Sequence, residues 1–377
     1  MNSRTTKFIG VVSLLGVLLL SGFIPRTVSR THAAQGVASV PLRVTRHGPP
    51  YKIVLSNSYI GNTWRVEMVN EFKAACQMAP YKSLITCDNF NATNSVPAQT
   101  QQMNNIISSR PDAIIINAAS TTGLNGVINQ ACQAGILVVS FDAVVTAPCA
   151  LKVNTNQINF GRTLAQFVAQ QLHGKGNVIM VTGIAGTSVD TDRNTGADQV
   201  FGANPGIKVV ARYSGNWDSG VAQRNTAAQL PSLGRVDGVW AQGGTDGIIR
   251  ALINAHRPFP IPVAGEAENG FRQYMLRYKS MGFKALSIGQ PPYLVLVSLE
   301  LAVEVLQGKH AKADVTIPFP SVTTDTVREG LTTFKDLPDN YFVDFTDSGP
   351  NATVVICADA PRYGKPCPGA LKVRLPS

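Results

Sequence analysis

Between Tyr51 and Gln290 short apolar runs alternate with longer stretches whose apolar positions recur every three to four residues. The runs YKIVLSNS (51–58), LITCDNF (84–90), DAIIINA (112–118) and ILVVSFDA (136–143) read as buried strands. Between them, Asn62 to Ala79, Val96 to Ser109 and Gly123 to Ala134 have helical spacing, with Trp64, Met68 and Phe72 on one face of the first. The alternation restarts after Lys152-Val153-Asn154. Helices are predicted from Phe160 to His173, Asp192 to Gly202, Gly220 to Leu233, Asp246 to His256 and, shorter, Asn269 to Ser280. NVIMVTG, IKVVARYSG, DGVWAQGG, PVAGEA and ALSIGQ supply the strands. Short apolar strands joined by amphipathic helices are βαβ units with right-handed crossovers. Two such series predict an α/β fold of two similar lobes, each a mostly parallel open sheet flanked by helices.

In open α/β sheets ligands sit beyond the carboxyl ends of the strands. Here those ends read SNSYIGN, FDA, GIAGTS, AQGGTDG, GEAENG and GQPP. They are rich in Gly, Asn, Asp and Gln, which suits a small polar ligand approached closely by backbone. The sequence carries no G-x-x-x-x-G-K-[ST] loop, no H-E-x-x-H and no G-x-S-x-G, and GIAGTS (183–188) lacks the lysine of a phosphate loop. Five dispersed histidines, at 32, 47, 173, 256 and 310, supply no nucleophile–base pair or metal set. The reading is a binding protein without cofactor or metal rather than an enzyme.

A length of 377 residues accommodates two domains, and 44% hydrophobic with 15% charged residues fits a globular chain. Arg4 and Lys7 precede an apolar run from Phe8 to Ile24, and Thr31-His32-Ala33-Ala34 offers small residues for cleavage. That order is a secretory signal over 1–33, cut after Ala33; the run also fits a retained membrane anchor. The formal charge of +10 drops to +6 without Arg4, Lys7, Arg26 and Arg30 of this segment. The remaining basic residues are scattered, which is not a nucleic-acid footprint. An export signal also stands where a transcriptional regulator would need N-terminal DNA-binding helices. Six cysteines behind an export signal read as disulfides, and three sequence-local pairs are available: Cys76 with Cys87, Cys132 with Cys149, and Cys357 with Cys367. Locality is a preference among about 15 connectivities.

In this order, VLSNSYIGNTWR, PDAIIINAAS, GILVVSFDA, GIAGTSVDTDRNTG, WAQGGTDG and LSIGQPPYLVLVSLE resemble the bacterial periplasmic sugar-binding proteins of the ribose-binding type, which serve ABC importers. The likeness runs from about Tyr51 to Pro320. It implies a periplasmic-binding-protein-like fold whose lobes are joined by a three-segment hinge near 152–154, 287–290 and 315–320. The first lobe would comprise 51–152 with about 291–318, after a leader at 34–50. The second would comprise 153–290 with about 319–377. The resemblance further implies a periplasmic or extracellular monomer that captures a sugar or polyol and delivers it to a membrane permease. The same fold also presents sugars or furanose-like signals to a chemoreceptor or histidine kinase.

By resemblance, Asn62 and Trp64 match an Asn-x-aromatic at the first helix start, and Asp142 matches the acid ending the fourth strand. Arg193 follows GIAGTS, Trp217 matches an aromatic in the next loop, and Gln290 matches a glutamine at the second crossing. The chemistry suits a polyol: Asp accepts from two hydroxyls, Arg donates in a fork, and indole faces stack on sugar C–H faces. Each also has an ordinary structural alternative, such as core packing for Trp64 or a surface ion pair for Arg193. The chain departs from the pattern at Arg65, which replaces a second aromatic and either adds a charged contact or turns outward. WAQGGTDG and GEAENG also differ, leaving Asp246, Glu266 and Asn269 as candidates. Beyond Ser321 the chain is longer than the family core.

Overall fold

The computed structural model describes residue 44 and residues 47–343. The proposed signal segment and the Cys357–Cys367 pair lie outside the described residues. The first lobe runs β1 (Tyr51–Asn57), α1 (Thr63–Gln77), α2 (Tyr81–Leu84), β2 (Ile85–Asn91), α3 (Val96–Ser108), β3 (Ala113–Asn117), α4 (Asn125–Gln133), β4 (Leu137–Phe141) and β5 (Leu151–Asn154). The second follows as α5 (Gln157–Gln171), β6 (Lys175–Thr182), α6 (Ser188–Gly202), β7 (Gly206–Ser214), α7 (Ser219–Gln229), β8 (Gly238–Ala241), α8 (Thr245–Asn254), β9 (Val263–Gly265), α9 (Asn269–Arg277) and β10 (Ala285–Ile288). The chain then returns through α10 (Leu294–Leu306) and β11 (Asp314–Thr316) and crosses again to β12 (Ser321–Thr323).

Among the described residues the strands make two six-stranded sheets, β11-β5-β4-β3-β1-β2 and β12-β10-β9-β8-β6-β7. Every strand pairing is parallel except β10 with β12. Three passages therefore connect the sheets: after Asn154, after Ile288 and after Thr316.

Both faces of each sheet are covered, so its inner strands are apolar at consecutive positions. Ile53, Leu55, Ile115 and Val139 pack on one face of the first sheet with α1 and α10, while Val54, Ile114, Ile116 and Val138 pack on the other. The second sheet divides likewise, with Ile179, Val181 and Val239 opposite Val178, Met180 and Trp240. Five helices begin at a side-chain cap beside the strand ends: Asn62, Ser95, Asn156, Thr187 and Asp218 each accept a backbone N–H three residues on. Such a cap contributes about 1 kcal/mol and fixes the first turn that carries the candidate side chains.

The structure moves several predicted boundaries. α6 starts at Ser188 rather than Asp192, because Thr187 caps it where the polar run TSVDTD reads as a loop. This sets Arg193 within the second turn. α5 and α6 then cross in near-backbone contact: a Cβ on Gly161 would stand 2.0 Å from the Arg193 carbonyl oxygen. Only glycine permits that approach.

Candidate functional site

A cavity of about 310 Å³ lies between the carboxyl ends of the two sheets. Asn62, Trp64, Arg65 and Asp142 line it from the first lobe, Val189, Arg193, Trp217, Glu266 and Phe342 from the second, and Gln290 from a crossing.

Asp142 follows β4 in the left-handed region, φ 55°, which Asp tolerates better than most residues. Its Oδ1 accepts from Gln290 Nε2 at 2.9 Å, and its Oδ2 accepts from Asn117 Nδ2 at 3.0 Å. Arg65 turns inward: Nη1 donates to Asn57 Oδ1 at 2.6 Å, and Nη2 lies 3.7 Å from Asp142 Oδ2. Its guanidinium stands 4.7 Å from the Tyr59 ring centroid and 5.5 Å from that of Trp64, and the residue is buried. A carboxylate has about four acceptor positions, so Asp142 retains capacity beyond these protein donors.

The second lobe opposes this pair with another. Arg193, 1% exposed, donates from Nε to Gln157 Oε1 (2.8 Å), from Nη1 to the Gln242 carbonyl (3.0 Å) and from Nη2 to Glu266 Oε1 (3.1 Å). Its guanidinium also stacks 3.8 Å from the Phe160 ring centroid. Burial pushes the Glu266 carboxyl up to about 7; Arg193 opposes the shift and the Asp142 charge adds to it. One guanidinium shared among three acceptors does not offset the lost hydration.

Trp217 occupies an unusual turn. Asn216 and Trp217 have φ of 55° and 54°, successive left-handed non-glycine residues. Its ring lies against Gly183, where a Cβ would come within 2.1 Å of the indole. The Trp217 Nε1–H is buried without a protein acceptor, and the side chain borders the cavity. Such strain persists where the surroundings impose it, commonly at ligand sites.

Trp64 and Gln290 tie the lobes at the crossing. Trp64 Nε1 donates to the Gln290 carbonyl at 2.6 Å, and the Gln290 Oε1 accepts from Thr155 Oγ1 at 2.5 Å. The Gln290 amide is thus committed to protein partners, and it orients Asp142. Asn62 caps α1 and donates to the Tyr59 hydroxyl at 3.0 Å.

Two predicted site residues do not line the cavity. Asn269 is buried under the tail: its Nδ2 donates to the Phe334 and Leu337 carbonyls, and its Oδ1 accepts from Phe334 N and Thr333 Oγ1. Asp246, in the first turn of α8, pairs with Arg250 at 2.7 Å and accepts from Ser219. Both are spent on internal structure. Val189 and Phe342 are lining residues that sequence reasoning missed. Val189 follows from the earlier start of α6; Phe342 lies in the tail and carries no sequence signal for the site.

Residues 53–310 match the periplasmic binding protein domain family. The chain belongs to this family. It is 29% identical over 241 residues to a xylitol-binding protein of Mycolicibacterium smegmatis, covering 63% of this chain and 68% of that protein. It is 20% identical over 269 residues to a ribose import binding protein of Bacillus subtilis, covering 71% and 86%. An ABC transporter solute binding protein from Thermobispora bispora superposes with a TM-score of 0.70 at 28% identity, over 87% of this chain and 99% of that one. Two mostly parallel sheets flanked by helices are the architecture of this family. Among the described residues no helix is long and apolar enough to cross a membrane.

Proposed function

We propose that this protein captures a neutral polyhydroxylated solute, a sugar or alditol, between its lobes and passes it to the permease of an ABC importer. One observation carries the reading: each lobe presents a carboxylate–guanidinium pair to the same cavity, Arg65 with Asp142 and Arg193 with Glu266. Paired charges of this kind supply acceptors and forked donors to several hydroxyls without a net charge to neutralise. That favours a neutral polyol over a sugar acid or a phosphorylated sugar. Trp64 and Trp217 add indole surface for the C–H faces of the solute. The relatives named as binders of xylitol and of ribose support the same class.

Asn62, Trp64, Arg65, Asp142, Arg193, Trp217, Glu266 and Gln290 form the proposed site. Asp142, Arg65, Arg193 and Trp217 contact the solute, while Asn62 and Gln290 hold the site in shape. The protein works as an exported monomer, with the solute released unchanged.

Thermal-shift measurements on the protein lacking residues 1–33 test this. Xylitol, D-ribose, D-fructose, myo-inositol and their acid or phosphate derivatives form the panel. A ligand that binds only the native state raises its melting temperature. Stabilisation by at least one neutral polyol, with the solute recovered intact, is expected. Stabilisation by the acids or phosphates alone overturns the reading.

A further inference from the structure

The chain beyond β12 lies outside the family match of 53–310, and its last described stretch connects the two lobes. Many hydrogen bonds tie it to the second lobe. The Thr332 and Val343 carbonyls accept from Arg272 Nη1 at 3.0 and 2.9 Å, and Asn269 holds Thr333, Phe334 and Leu337. Arg250 reaches Asp339 at 3.0 Å. Backbone bonds join Gly270 to Asp339, Asn269 to Tyr341 and Val343 to Ala267. The two carboxylate and amide residues that sequence reasoning placed in the cavity, Asp246 and Asn269, are therefore its anchors, Asp246 through Arg250.

The tip of the same segment faces the other lobe. Asn340 Nδ2 donates to Thr63 Oγ1 at 2.6 Å, and the Phe342 backbone N–H donates to Glu67 Oε1 at 3.0 Å. Thr63 and Glu67 are four residues apart, on one face of α1, and they flank Trp64 and Arg65 of the cavity wall. The Phe342 ring is 3% exposed; it packs into the first lobe's core cluster and lines the cavity. A segment held to the second lobe by this dense set of bonds, and reaching the first through the Asn340 and Phe342 bonds and the Phe342 ring, stays with the second when the lobes part.

We propose that residues 338–343 are a clasp: they close over α1 with the lobes, and Phe342 supplies an apolar wall against the bound solute. The solute contact rests on the sugar-binding reading above; the bridging of the lobes does not. Opening must break the Asn340–Thr63 and Phe342–Glu67 bonds and withdraw the ring from the first lobe. The clasp therefore slows solute release while leaving capture by the open form unchanged.

Stopped-flow tryptophan fluorescence with xylitol, D-ribose, D-fructose and myo-inositol measures both rates. Asn340→Ala loses one hydrogen bond, so its release rate rises about 2- to 12-fold with capture within twofold of wild type. Phe342→Ala raises it further, about 10- to 100-fold, as expected of a buried aromatic contact. Release rates within 1.5-fold of wild type for both variants overturn the clasp. A second arm needs no solute: a Thr63→Cys/Asn340→Cys pair oxidises to a cross-link, recovered by peptide mapping, and fixes the smaller radius of gyration of the closed form. A pair that stays reduced with and without each solute overturns the proposal. If no solute stabilises wild type, the sugar reading fails and the cysteine pair still decides the clasp.

Discussion

Truncating Trp217 separates a residue held for binding from one held for packing. In the left-handed region a non-glycine residue costs about 1–2 kcal/mol, and Trp217 sits there after Asn216 in the same state. Alanine keeps the Cβ that this region penalises, so Trp217→Ala relieves none of that strain; it loses only the contact area of a half-buried side chain. Trp217→Ala therefore melts only slightly below wild type. In the complex the loss is larger. Aromatic contact is worth about 0.5–1.5 kcal/mol beyond area, and a hydrogen bond from the buried Nε1–H about 0.5–1.5 kcal/mol. Together they amount to about 1–3 kcal/mol, or about 5- to 150-fold in Kd. Trp217→Phe keeps the ring and removes the donor, so it loses about 2- to 12-fold. Calorimetric titration with the most stabilising neutral polyol, paired with melting curves, reads both quantities. An unchanged Kd in Trp217→Ala, with the about 3–5 kcal/mol destabilisation of a core truncation, refutes the reasoning.

Three further outcomes follow from the same geometry. Glu266 and Glu268 are pushed up to about 7 and about 8, both chiefly by burial, and Glu268 Oε2 has no partner. A raised carboxyl binds its proton more tightly folded than unfolded, so stability falls as pH rises from about 4.5 to about 8; Glu268→Gln flattens that decline and raises the melting temperature at pH 8, and an unchanged profile contradicts it. Gly161→Ala drives a methyl into the Arg193 carbonyl and separates α5 from α6; it destabilises by about 1–3 kcal/mol and weakens solute binding through the displaced Arg193, whereas a wild-type Kd and melting temperature exclude the contact. Non-reducing peptide mapping recovers Cys76–Cys87 and Cys132–Cys149, both bonded in the structure, and Cys357–Cys367 as the proposed third; reducing either of the first two costs about 2–3 kcal/mol, and free thiols in exported protein refute the assignment.

The strand–helix alternation was legible because both sheets are covered on two faces, which makes each inner strand an unbroken apolar run such as AIIIN. Asp142, Arg193 and Trp217 were legible because strand ends point at the cleft and the resemblance singled them out. α10 was not predicted: LVLVSLELAVEVL is buried almost all round, so it has no periodicity to read. β5, β11 and β12 bury only alternate residues, so unlike the equally short β8, β9 and β10 they form no apolar run. Asn269 and Asp246 show the limit of the strand-end rule. A polar residue there is equally suited to a ligand or to a segment arriving from far along the chain, and Asn269 meets Phe334 across 65 positions. Phe342 was missed for the same reason, since nothing local marks a tail residue that folds back onto α1.

Asp142 is the residue on which the polyol reading turns, and Asp142→Asn tests it. Asn tolerates the left-handed backbone at φ 55° and keeps the side-chain shape. It removes the charge facing Arg65 and an acceptor for solute hydroxyls. Titrating the most stabilising neutral polyol into wild type and Asp142→Asn should show affinity lower by about 2–4 kcal/mol, or about 30- to 1,000-fold. The ligand-free melting temperature should fall, because the new amide NH2 meets the Gln290 or Asn117 donor and Arg65 loses its charge partner. A Kd within threefold of wild type in the folded variant would contradict capture of a polyol by this site.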